Sequence, residues 1–312
     1  MADDALAGLV RSRMERILAV PDERRDALLA RLLERHGAGI AAVLVYGSYL
    51  RGKRDTLLDF YVLMDGYGTL RPVWQAGLAW LLSPNVYQVA AGSPPDEARA
   101  KYALLTLGRF ERAMRRDFHP YFWARFAQPC GLVYCRDDAT RERVTRALAT
   151  AGRHFVRRVV PRLPAVFTPR ELALTGLGLT YGCELRSEGP GRAAGLYQHD
   201  EAWYGSLTAA LSGTGLGYGA ADRENHYRNH SGEGRRRLSW VGWQVCRILG
   251  KFKSALRLLK AALTFDGGLD YILWKIARHS GHYIEPTERQ RRHPLLFGWP
   301  LLWRLYRRGA FR

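Results

Sequence analysis

Residues 40–48, IAAVLVYGS, and 57–65, LLDFYVLMD, are two apolar runs of strand length separated by a short polar turn. Runs this apolar and this short, bounded by Gly, Ser and charge, read as buried strands. Three more such segments follow: NVYQVAAG (85–92), AKYALLTL (100–107) and CGLVYC (130–135). Helical periodicity precedes them over residues 3–36, restarting at Pro21 and ending at Gly37 and Gly39. Between the last two strands, LGRFERAMRRDFHPYFWARFAQP (107–129) is mostly helical, with an interruption near His119-Pro120. The opening 150 residues are therefore expected to form an α/β domain.

Beyond residue 150 the pattern is helical. RERVTRALATAGRHFVRRVVPRL has helical apolar spacing, and TPRELALTGLGLTYGCELR opens on Thr168, Pro169 and Glu171, the signature of a capping box. Residues 187–200 and 211–235, rich in Gly, Asn and charge, are expected to be loops. GKFKSALRLLKAALTF is an amphipathic helix with Lys253, Arg257 and Lys260 on its polar face, the face of a solvated helix. This divides the chain into an α/β domain (1–150), a helical domain (151–240) with the winged helix as a candidate type, and a basic carboxy-terminal segment (241–312).

A carboxylate inside LLDFYVLM needs a reason. Burying an ionised acid costs several kcal/mol unless it is paired, and a metal ion or an arginine such as Arg51 would pair Asp59. A strand ending in Gly47-Ser48, then a helix start, then a strand carrying an acid is also the arrangement of nucleotidyltransferases. There the glycine admits phosphates to the backbone, and the serine and helix amides bind them. The neighbouring acid holds Mg²⁺. Polymerase-β-like enzymes carry a second acid two residues on; here that position is Tyr61.

Net charge and cysteine usage narrow the partners. The chain of 312 residues carries a formal charge of +19, which suits nucleic acid, an anionic membrane or phosphorylated substrates. Its four cysteines, Cys130, Cys135, Cys183 and Cys246, fit no zinc spacing and read as reduced thiols. His119, His226, His230, His279 and His282 are scattered and are expected at the surface. No uninterrupted apolar run is long enough to cross a bilayer. The tail HPLLFGWPLLWRLYRRGAFR has two readings. A helix from Pro300 either dips Leu301, Leu302, Trp303, Leu305 and Tyr306 into lipid with its arginines at headgroups, or docks on the protein itself.

The pattern YGS…LDFYVLMD resembles the mitochondrial phosphatidate cytidylyltransferase family, the translocator assembly and maintenance proteins. Those carry YGSG followed by a strand of the type DFIFGVD, also without an acid two residues on. Further segments are similar in order along the chain: SPNVYQ to NPxHYS, AKYALL to IKYGVV, WARFAQPCGLVY to AGRLQKPV, and LTYGCELRSEG to SYLGDLRM. ILGKFKSALRLLKAALTFDGG loosely resembles the family's GxLTAGxxKSxRY helix. Tyr49 replaces the third glycine, Gln128 the lysine of the KP pair, and Glu184 the acid before Leu-Arg.

The resemblance implies a polymerase-β-like nucleotidyltransferase domain over residues 1–150, CTP and phosphatidic acid as substrates, Mg²⁺ as cofactor, and CDP-diacylglycerol and pyrophosphate as products. It places Asp59, Lys101 and Arg125 in catalysis, Tyr46, Gly47, Ser48, Glu184, Arg186 and Lys253 at the nucleotide, and Asp59 and Asp65 on the metal. It also implies a peripheral protein on an anionic membrane, with no stable nucleic-acid partner. The amino terminus lacks a transit-peptide pattern, so the expected setting is the cytoplasmic face of a bacterial cell membrane. Two rival readings remain open: transfer onto RNA or another phosphorylated acceptor, and a catalytically silent module that binds nucleotide or anionic lipid.

Overall fold

The structure, a computed structural model, describes residues 2–52, 57–66, 84–92, 97–184, 191–264, 273, 284–292 and 298–307. It divides into a unit of residues 1–250 and a second of residues 251–312. All five expected strands form one mixed sheet: β1 (Ile40–Tyr46), β2 (Leu58–Met64), β3 (Asn85–Ala91), β4 (Ala98–Thr106) and β5 (Gly131–Cys135). Their order is β3-β4-β2-β1-β5, with β2 and β4 parallel and every other pair antiparallel. The fold is thus mixed α/β.

Alternation along the strands sorts side chains to two covered faces. On one face Val43, Val45, Phe60, Val62, Tyr102 and Leu104 pack with Leu28 and Leu32 of α2 (Glu23–His36). That helix is capped by the Asp22 side chain, which accepts from the Arg25 amide, and ends at Gly37 with φ +57°. On the other face Leu44, Tyr61, Leu63 and Leu105 join a larger core. This core includes α1 (Ala2–Leu18), α3 (Leu107–Arg116), α4 (Trp123–Phe126) and α5 (Asp138–Val159).

The same core continues through Leu172, Leu177, Trp203, Leu207, Trp243 and Cys246. A boundary at residue 150 would cut α5 in the middle of its buried face, so residues 1–150 are not a separate body. The break lies instead between residues 250 and 251, inside helix α9 (Glu233–Thr264).

The capping box of α6 (Pro169–Tyr181) is formed. The Thr168 hydroxyl accepts from the Glu171 amide, and the Glu171 carboxylate accepts from the Thr168 amide at 2.8 Å. Two expected loops contain regular structure. Residues Arg192–His199 form helix α7, because Leu196 and Tyr197 bury against the core; α8 (Glu201–Ala210) follows directly. Residues Tyr218–Ala220 and Tyr227–Asn229 are strands β7 and β8, forming a small sheet with β6 (Val166–Phe167). Here Tyr218 and Tyr227 hold their rings 5.5 and 5.9 Å from Phe167, and aromatic packing outweighs the glycines around them.

His119 is buried, not exposed, and its Nε2 lies 3.2 Å from the Cys183 carbonyl. His226 is half-buried and His230 exposed; His279 and His282 lie outside the described residues. Within the second unit, helix α10 (Trp299–Arg307) buries Leu301 and Leu305 with Leu273 and Ile284. That is the docked reading of the tail: those leucines are used inside the protein, while Trp303 stays 60% exposed. Among the described residues, no helix is long and apolar enough to cross a membrane.

Candidate functional site

A row of paired positions crosses four strands at one end of the sheet: Tyr46 on β1, Asp59 on β2, Lys101 on β4 and Gln88 on β3. Asp59 has the parity of Tyr61 and Leu63, so it leaves the sheet on the face of the larger core. Directly after β1 the chain turns at Gly47, whose φ is +95°. A Cβ built there would stand 2.9 Å from Asp59 Oδ2. Both the backbone angle and this contact require glycine. Ser48 then opens a single helical turn, Ser48–Arg51.

Tyr46, Gly47, Ser48, Arg51 and Asp59 form one wall of a cavity of about 210 Å³. Arg125 and Gln128 from the α4 region, Thr180, Tyr181 and Glu184 from the end of α6, and Arg192 at the start of α7 complete it. This is below the ~300–1,000 Å³ of sites that enclose a drug-sized ligand. Its three guanidinium groups and two carboxylates suit the charged portion of a ligand, a phosphate chain with its counter-cation, rather than a buried apolar body.

Arg125 is the most constrained of these residues, with its side chain 13% exposed. It donates from Nη1 to the Tyr61 hydroxyl at 2.9 Å, and its Nη2 stands 3.9 Å from Glu184 Oε2. Its guanidinium carbon lies over the Tyr121 and Tyr46 rings, 4.4 and 5.6 Å from their centroids. Burial alone would lower its pKa. Tyr61, Tyr121 and Tyr46, with the Glu184 carboxylate, outweigh that and hold the group well above its ordinary value.

Tyr61 is fully buried among Tyr46, Phe122 and Phe126. Burial raises its pKa well above the usual 10, so the phenol is neutral. The position where a polymerase-like site has a second acid therefore holds an uncharged hydroxyl that orients Arg125.

Arg51 is pushed below its ordinary pKa by burial; Tyr181 opposes this, and Arg192 adds repulsion. An arginine remains cationic regardless, so the cavity concentrates positive charge that an anion would relieve. Sequence reasoning weighed Arg51 only as an ion partner of Asp59 and missed Arg192. Arg51 could have been found from its place in the turn after Ser48, which faces the same space. Arg192 carries no local signal, because only the chain's return on α7 brings it in.

Of the residues expected at the site, Tyr46, Gly47, Ser48, Asp59, Arg125 and Glu184 line this cavity. Lys101 is half-buried beside Asp59 in the sheet register. Asp65 is not brought in. It lies past the far end of β2, roughly 20 Å from Asp59 at ~3.3 Å per strand residue. There the Arg136 guanidinium binds its carboxylate in a forked pair. The two acids therefore do not share one ion. Lys253 belongs to the second unit and is exposed. Arg186 lies outside the described residues.

No group of three or more potential metal-ligating His, Cys, Asp or Glu side chains occurs among the described residues. Mg²⁺ does not require one, since it is commonly held by one or two carboxylates together with substrate phosphates and water. Asp59, with its oxygen against the Gly47 turn, and Glu184 across the cavity fit that pattern. Compared with protein-family models and with curated protein sequences, the chain matches none.

Proposed function

We propose that the protein is a cytidylyltransferase that joins CMP from CTP to the phosphate of phosphatidic acid, forming CDP-diacylglycerol and releasing pyrophosphate. The observation that carries this reading is the convergence of the Gly47-Ser48 turn, Asp59 and three arginines on one cavity. An oxygen of the lipid phosphate attacks the α-phosphorus of CTP. The new P–O bond forms as the bond bridging the α- and β-phosphates breaks, and its electron pair leaves with pyrophosphate.

The acceptor phosphate has its second pKa near 6, so it is largely dianionic at neutral pH and no side chain needs to remove its proton. Gly47 lets the phosphate chain approach the backbone, and the Ser48 hydroxyl donates to a phosphate oxygen. Arg51, Arg125 and Arg192 balance the charge of two anionic substrates, with Arg125 held in orientation by Tyr61. Lys101 adds a cation beside Asp59. Asp59, with Glu184 as the second carboxylate, would hold Mg²⁺, which supplies charge neutralisation at the leaving pyrophosphate. A lipid acceptor sets the reaction at a bilayer surface, the inner face of the cell membrane in a bacterial setting.

Tyr61 favours a second reading. A buried neutral phenol in place of a second acid suits a module that binds nucleotide or anionic lipid without turnover. Pyrophosphate release separates the two. It would be measured with each of the four nucleoside triphosphates, Mg²⁺ and phosphatidate in detergent micelles, beside an Asp59→Asn control. Lipid-dependent release with CTP, lost in the control, supports transfer. Release that needs RNA moves the acceptor to nucleic acid. Nucleotide binding without release supports the module.

A further inference from the structure

Over residues 233–250, helix α9 presents an apolar side to solvent. Over the part that lies in the first unit, Trp243, Cys246 and Gly250 face inward. Gly250 sits so close to the Cys183 carbonyl and the His119 ring that no side chain fits there. On the opposite side Leu238, Val241, Val245, Ile248 and Leu249 are all exposed, with Leu238 at 74% and Ile248 at 71%. At ~100° per residue these five fall within about 100° of the helix circumference. Trp240, also exposed, stands outside the stripe, about 80° beyond Ile248. Single exposed leucines need no explanation, but a continuous stripe of five along a helix does.

Charge identifies what covers it. Over its length, Glu233–Thr264, the helix holds eight Arg and Lys and a single acid, Glu233, which pairs Arg237. Two copies of such a helix packed together would set eight cations against eight with one acid on each, which opposes a coiled-coil partner. Nucleic acid would match the charge but leave the apolar stripe in water. A bilayer with anionic headgroups matches both, since the stripe enters the acyl boundary and the exposed Arg237 meets the phosphates, while Arg235 and Arg236 donate to the Leu216, Ser231 and Leu163 carbonyls.

We infer that the outward stripe of α9, centred on Leu238, Val245 and Ile248, is a docking surface for an anionic lipid bilayer. It differs from the tail helix, whose Leu301 and Leu305 are already buried. The inference stands apart from the proposed reaction, because docking requires neither CTP nor turnover.

The test is flotation of the full chain with vesicles of phosphatidylcholine alone and of equal parts phosphatidylcholine and phosphatidylglycerol, without nucleotide. Wild type is expected to float with the anionic vesicles only, and raising salt should release it. The double variant Leu238→Gln, Ile248→Gln should bind at least ~10-fold more weakly, with an unchanged circular dichroism spectrum because both side chains are exposed. Trp303→Gln on the tail should float as wild type does. Equal flotation of the double variant, or loss of binding in Trp303→Gln alone, overturns the inference. So does a wild-type dimer that the double variant converts to monomer without vesicle binding, or binding to RNA but not to vesicles.

Discussion

Strand β2 has an acid at each end, and the two differ in every respect that matters to chemistry. Asp59 lies against a left-handed glycine, in register with Lys101, on the wall of a cavity that also holds Arg51, Arg125 and Arg192. Asp65 lies at the surface, bound by the Arg136 guanidinium. Arg136 is in turn held above its ordinary pKa, by that hydrogen bond first and by Asp137 second. By sequence the two acids look like a pair on one strand. Seven residues of extended chain place them at opposite ends of the strand, and only the first meets a turn and a cleft lined by three arginines.

The largest expected effect tests that contrast directly. Asp59→Asn should reduce pyrophosphate release by roughly 10³-fold, the equivalent of about 4 kcal/mol of barrier for a lost cation ligand. Asp65→Asn should leave the rate within about twofold, as removing an exposed ion pair does. Equal losses in both variants, measured as kcat under saturating CTP, would break the comparison.

The two arginines extend it from chemistry to stability. Arg125→Ala strands the buried Tyr61 hydroxyl and removes the cation 3.9 Å from Glu184, and should destabilise the fold by about 3 kcal/mol. Arg136→Ala removes only an exposed partner and should leave the thermal midpoint unchanged. Urea unfolding of the two variants side by side reads the difference.

The glycines near the same two ends differ in the same sense. Gly47 has φ +95° and the Asp59 carboxylate over its Cα, so Gly47→Ala should cost about 2 kcal/mol and displace the acid. Gly66, just past Asp65, has neither constraint, and Gly66→Ala should stay within about 0.5 kcal/mol. If Gly47→Ala retained both stability and activity, the cradle around Asp59 would not be needed.

What the sequence foretold divides along the same line. All five strands of the main sheet were readable because each is a short apolar run bounded by polar breaks, and the capping box at Thr168 because its signal spans four residues. The Gly47-Ser48 turn and Asp59 were readable for the same local reason. Arg192 was not, since nothing in GPGRAAG signals that α7 returns to the cavity. The helix of Leu196 and Tyr197 was hidden by its glycines, and the β7–β8 pair by glycines that Tyr218 and Tyr227 overrule through packing on Phe167. The continuous core through α5 was hidden too, because periodicity shows that a helix is amphipathic but not which elements it buries against.

The smallest expected effect concerns Tyr61, the residue that stands between the two acids in role and in sequence. Tyr61→Phe keeps the ring in its cluster of Tyr46, Phe122 and Phe126 and removes only the hydroxyl that accepts from Arg125. The cost near neutral pH should be about 1 kcal/mol, that of one hydrogen bond. The pH dependence sharpens the test. Burial raises the folded-state pKa of Tyr61 above 10, the value it has in the unfolded chain. Its contribution is therefore fully present below pH 10 and is lost as pH rises from there toward the folded value, at up to ~1.4 kcal/mol per pH unit. Tyr102, raised to about 12 by its own burial, adds a separate share that the variant leaves in place. Tyr61→Phe should thus lose stability less steeply than wild type above pH 10 while matching its slope at neutral pH. A slope unchanged above pH 10 would mean that the phenol is ionised or solvated in the fold. The position would then behave as the second acid that this strand otherwise lacks.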